Sequence, residues 1–235
     1  MALPKLSHPT FELEIPSTKQ KIRYRPFLVK EEKILLIAQS SNDPKDIIQA
    51  VKQVLQNCCT DDINIDQLTT FDIEYFFIKL RSKSVNNIVN LKYRDLEDDK
   101  IYDFEVDLET IEIQHNPDHQ KTINVSNNVI LNLKYPQMNL VNTLEKVEND
   151  TDLVFEILRN CLDTLVYEGK EIKISDYSKK EIDDFILSMD VVSFNKVQEF
   201  FNTMPKLKHD IDYVNSLGNP RKITLQSLND FFQLG

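Results

Sequence analysis

Apolar positions alternate with polar ones at Phe11, Leu13 and Ile15, and the alternation resumes with Ile22 and Tyr24 after Pro16-Ser17-Thr18-Lys19. A period of two marks half-buried strands, so this stretch predicts an N-terminal hairpin. From Lys30 to Gln39 the period changes, and Ile34, Leu35, Ile37 and Ala38 predict a buried helix. Asp43-Pro44 opens a clearer helix, because Asp43 suits the N-cap and Pro44 the first helical position. Its apolar stripe runs through Ile47, Ile48, Val51, Val54, Leu55 and Cys58. Thr69-Thr70-Phe71-Asp72 reads as a variant capping box that starts a third helix bearing Phe71, Phe76, Phe77 and Leu80.

After Val85 the pattern turns to strands. Ile88 to Tyr93 and the strictly alternating Tyr102, Phe104, Val106 and Leu108 flank an acidic turn from Asp95 to Lys100. That turn lacks the alternating ligands and central glycine of a calcium loop, so it is expected to be a solvated hairpin tip. Ile123 and Val125, the turn Ser126-Asn127-Asn128, and Val129 to Tyr135 predict another hairpin. Leu153, Val154, Ile157, Leu158, Cys161, Leu162 and Leu165 predict a helix from about Asp150 to Tyr167, ended by Gly169. Ile172 and Ile174 make a short strand, and Ser178-Lys179-Lys180-Glu181 is a capping box before a helix with Ile182, Phe185, Ile186 and Met189. A further helix carries Phe194, Val197, Phe200 and Phe201 up to Pro205, and a terminal hairpin turns at Leu217-Gly218-Asn219-Pro220. An aromatic helix followed by a hairpin thus occurs twice, a weak sign of duplication.

These elements predict an α+β fold of antiparallel hairpins interleaved with amphipathic helices, without a parallel doubly wound sheet. The polar stretch Asn139 to Asp150 suggests a boundary between 1–145 and 146–235. The longest apolar run, Ile34 to Ala38, is far short of the roughly 20 residues of a membrane span. The N-terminus shows no basic region followed by an apolar core, so no secretory signal is expected.

Charge and glycine content narrow the chemistry. Lys and Arg total 28 against 38 Asp and Glu, a net charge of −10 that repels a phosphate backbone, so no nucleic-acid partner is expected. Only three glycines are present, against about 7% in ordinary proteins, too few for a phosphate loop, dinucleotide fingerprint or nucleophile elbow. Cys58, Cys59 and Cys161 are expected to be buried or half-buried thiols in a reducing compartment. His115 and His119 are four apart, yet Asn116 and Pro117 break the helix that would pair them on a metal. A mobile connection is the expectation there. No triad or distinctive carboxylate pair stands out, so no catalytic residue, metal or cofactor is expected, and an enzyme is the weakest of the functional readings. The tail residues Leu228, Phe231 and Phe232 either close the core or dock a partner, since terminal aromatics make natural interface anchors.

Longer stretches carry a resemblance: Met1-Ala-Leu-Pro-Lys-Leu, the segment from Arg25 to Ala38, and Ile78-Lys-Leu-Arg-Ser-Lys-Ser-Val85. Leu133-Lys-Tyr-Pro136, Met204-Pro-Lys-Leu-Lys-His209 and Leu228-Asn-Asp-Phe-Phe232 extend it over nearly the whole chain. The chain resembles the baseplate hub assembly proteins of T-even-type contractile-tailed bacteriophages. That resemblance brings no catalytic residues. It implies a late protein, present in the host bacterial cytoplasm during assembly, with other phage baseplate hub proteins as partners. Its expected role is that of a chaperone-like hub assembly factor, or else of a minor structural subunit retained in the virion tail baseplate.

Overall fold

The computed structural model describes residues 6–41, 43–126, 128–144, 149–226 and 230. In chain order the elements begin with β1 (Phe11–Glu14), β2 (Lys21–Tyr24), α1 (Val29–Ser41), α2 (Pro44–Cys58), α3 (Thr70–Ser84), β3 (Ile88–Arg94), β4 (Ile101–Asp107) and β5 (Ile113–Gln114). There follow β6 (Thr122–Ser126), β7 (Val129–Leu133), α4 (Asn139–Leu144), α5 (Asp150–Cys161), β8 (Leu162–Tyr167), β9 (Lys170–Lys173), α6 (Lys179–Leu187) and α7 (Val191–Thr203). The chain continues with β10 (Lys206–Leu207), β11 (His209–Val214) and β12 (Pro220–Leu225). Helices and small antiparallel sheets alternate, which is an α+β fold.

The chain divides into two units: residues 1–114 with 206–235, and residues 115–205. Position 145–146, where the polar stretch suggested a boundary, falls inside the second unit. A cut there would separate β7 from β8, which pair antiparallel through Val129↔Tyr167 and Leu131↔Leu165.

In the first unit the capping box of α3 forms as expected, with Thr69 and Asp72 exchanging side-chain and backbone hydrogen bonds. Asp72 does more, since it also accepts from Ser17 N–H at 2.9 Å and Ser17 Oγ at 2.5 Å, tying the β1–β2 turn to α3. Phe76 and Phe77 are buried, and Tyr24 meets Phe76 edge-on at 5.5 Å. Helix α1 departs from its reading as a buried helix: its buried residues are Glu31 and Ala38, while Leu36 and Ile37 are 56% and 62% exposed. The physical reason is spacing. The five consecutive apolar residues Ile34 to Ala38 fan out around a helix at 100° each, so they cannot all face α2.

The acidic turn is a hairpin tip as expected, with Leu96, Glu97, Asp99 and Lys100 exposed, and Asp95 alone departs from that reading. Asp95 is fully buried, and the hairpin β11–β12 clasps the tip of β3–β4. Tyr213 Oη donates to Asp95, Asn215 Nδ2 donates to Glu97 at 2.6 Å, and Ser216 N–H and Oγ donate to Asp98 at 3.0 and 2.8 Å. The two helix-then-hairpin segments do not form equivalent modules, because α3 shares a unit with its hairpin whereas α7 belongs to the second unit.

In the second unit a four-stranded antiparallel sheet, ordered β6-β7-β8-β9, packs with α5, α6 and α7 around Leu131, Leu158, Leu162, Ile186, Val197 and Phe200. The predicted helix through Tyr167 ends at Cys161, and the next residue begins β8. Leu162 to Tyr167 is rich in β-formers, and pairing on both sides by β7 and β9 overrides the helical spacing. Gly169 is therefore a hairpin residue: Glu168 and Gly169 have φ of 49° and 78°, the left-handed pair of a two-residue turn. Arg159 holds α5 to α6, donating to Asp183 at 2.5 Å and to Glu156 at 2.5 Å.

Candidate protein-binding groove

The register of β7, β8 and β9 puts Val129 across from Tyr167 and Leu165 across from Ile172, so these four side chains share one face of the sheet. The segment after β9 turns back over that face. Ile174, Tyr177, Ile182 and Phe185 complete an open groove of about 480 Å³. Its one carboxylate among the described residues is Glu181, which is already committed to the cap of α6. Glu181 accepts from Ser178 N–H at 2.8 Å and Ser178 Oγ at 2.6 Å, and these bonds hold its carboxyl below the usual carboxylate range. The groove is thus an apolar trough with a fixed charge at its rim, suited to apolar side chains.

Two further apolar surfaces stand open. On α1, Val29, Leu36 and Ile37 lie seven and eight residues apart, which places them on one helical face, and all three are exposed. At the α6–α7 corner, Leu187, Val191 and Val192 are each about two-thirds exposed or more. Single exposed apolar residues are ordinary, whereas groups of them mark interaction surfaces.

The cysteines and the histidines His115 and His119 are packing elements or surface residues. Cys58 and Cys161 are buried, and burial pushes both thiols up to about 12, away from nucleophilic use; Cys59 is half-buried. His119 is not part of a mobile connection: it stacks on Tyr135 at 5.6 Å and lies against Phe200 at 5.2 Å, with Nδ1 3.0 Å from Thr203 Oγ1. Burial lowers its pKa, which keeps the ring neutral as a packing element. His115 is exposed, and among the described residues no group of three or more His, Cys, Asp or Glu side chains is placed to hold a metal ion. No helix of the described residues is long and apolar enough to cross a membrane. The tail residues Leu228, Phe231 and Phe232 lie outside the described residues. The groove was not legible in the sequence, because its floor comes from a segment with helical spacing; the dipeptide Glu168-Gly169 was the available signal for a hairpin.

No curated protein and no solved structure matches the chain. A family model does, described as T4 bacteriophage base plate protein and matching residues 8–233. With nearly the whole sequence matched, the chain belongs to the T4 bacteriophage base plate protein family.

Proposed function

We propose that this baseplate protein is a non-catalytic assembly factor for the baseplate hub, which holds a hub subunit through apolar surface before that subunit is built into the tail. The observation that carries this reading is the groove of the second unit, about 480 Å³ and lined almost wholly by aliphatic and aromatic side chains. An apolar trough whose carboxylate is spent on a helix cap is a binding surface for side chains, and polar groups converging on a reacting atom are what an enzyme would need instead. The open face of α1 adds a second surface of the same kind. A net charge of −10 favours solubility while such surfaces wait for a partner. The place of action is the host bacterial cytoplasm during tail assembly.

Co-expression with the hub proteins of the same phage, followed by pull-down on the tagged chain, tests this. Co-purification of a hub protein is the expected result. Failure to retain any hub protein, together with normal baseplates from a phage lacking this gene, would overturn it. The family description itself supports a second reading, a minor structural subunit of the hub that stays in the virion.

A further inference from the structure

β9 is the outermost strand of the second unit's sheet, and among the described residues no strand pairs with its far side. The hydrogen-bond phase of the hairpin determines which of its backbone groups are free. Glu168 N–H donates to Asn128 O at 3.3 Å, so Glu168 and Val166 face β7 while Tyr167 and Leu165 face β9. Their partners Lys170 and Ile172 turn their amides inward, so the N–H and C=O of Glu171 and the N–H of Lys173 point outward, while the Lys173 C=O is taken up as the N-cap of the 3-10 turn Ile174–Asp176. The other edge of the sheet is occupied differently. Ser193 Oγ donates to Val125 O at 2.8 Å and Lys196 Nζ to Asn124 O at 3.0 Å, so α7 satisfies carbonyls of β6.

Ile172 belongs both to this free edge and to the groove wall. We infer that edge and groove together take one extended strand of a partner protein, which pairs its backbone with Glu171 and Lys173 and sets an apolar side chain beside Ile172 in the groove. This rests on the partner-binding reading above and specifies the partner's chemistry. Lys170 shares the groove face with Ile172, is exposed and has no carboxylate partner among the described residues. An acidic residue two places from the partner's apolar one complements it. The partner strand therefore alternates apolar and polar residues and carries an acidic side chain in register with Lys170.

The test uses the full chain and a short acetylated peptide in which isoleucine alternates with threonine and an aspartate stands two places beyond the last isoleucine. Amide hydrogen exchange is followed by NMR. Protection of Glu171 and Lys173 on adding peptide is the expected result. Glu171→Pro removes an outward N–H without breaking the β8–β9 ladder, so it should keep the thermal midpoint yet lose about tenfold in peptide affinity. Lys170→Glu should also weaken binding. Unchanged exchange at Glu171 and Lys173, undiminished binding by Glu171→Pro, or pairing of β9 with a second copy would each overturn the inference. Hub-protein pull-down separates the two ideas: retention by both wild type and Glu171→Pro leaves the assembly reading intact and sinks strand addition. Peptide binding at β9 with no hub protein retained does the reverse.

Discussion

The Tyr213 hydroxyl donates to a carboxylate oxygen of Asp95 at 2.6 Å, joining two hairpins whose residues lie 118 apart in the chain. Arg221 Nε lies 3.2 Å from the same oxygen, and the Tyr93, Tyr102 and Phe104 rings surround Tyr213 at 5.0–6.3 Å. The acidic tip is thereby converted from a repulsive loop into the clasp of the first unit.

This clasp predicts acid sensitivity. The Tyr213 hydroxyl holds Asp95 below the usual carboxylate range, and the Tyr102 hydroxyl does the same for Asp98. A carboxylate depressed in the folded state stabilises above its unfolded pKa and loses that contribution as pH falls through the folded value. The thermal midpoint should therefore be insensitive to these groups near neutrality and fall below about pH 4. Calorimetry across pH should show a shallower acid slope in an Asp95→Asn, Asp98→Asn double variant; parallel curves would refute the clasp.

The turn between β8 and β9 makes a sharper prediction. A Cβ added at Gly169 meets nothing within 4 Å, so the cost of Gly169→Ala comes from its φ of +78° alone. Denaturant unfolding should register a loss of about 1–2 kcal/mol.

The second unit enters and leaves the first through neighbouring strands, because Gln114 of β5 pairs with Lys206 of β10. Residues 115–205 should thus fold when expressed alone, and replacing them by a short glycine-serine linker should leave the first unit folded. Dispersed amide spectra from both products are expected. Collapse of either one would show that the units depend on each other.

On α1, Leu36→Glu and Ile37→Glu should each change stability by no more than about 0.5 kcal/mol, as substitutions of exposed residues do. Phe76→Ala, in a fully buried position, should cost about 3–5 kcal/mol. If the Leu36 and Ile37 variants proved comparably costly, their exposure could not be that of a free surface.

Local chemistry explains why much of this fold was legible. Asp43-Pro44, Thr69 with Asp72, and Ser178 with Glu181 are start signals that act within four residues, and each begins a helix where it was expected. The alternating strands β3 and β4 were equally plain. What failed depends on distant partners. Leu162 to Tyr167 has helical spacing yet pairs with strands on either side, and Asp95 is drawn into the interior by Tyr213 and Arg221 from the other end of the chain. The groove inherits that difficulty, since three strands and a helix must be in place before Val129, Leu165, Ile172 and Phe185 meet.

The role as an assembly factor is tested most directly by quantitative mass spectrometry of purified, finished tails, with known hub subunits as internal standards. The protein should be absent from them or present far below one copy per hub subunit, while remaining abundant in infected-cell extract. A fixed stoichiometric complement in finished tails would contradict the role of an assembly factor and establish a structural subunit instead.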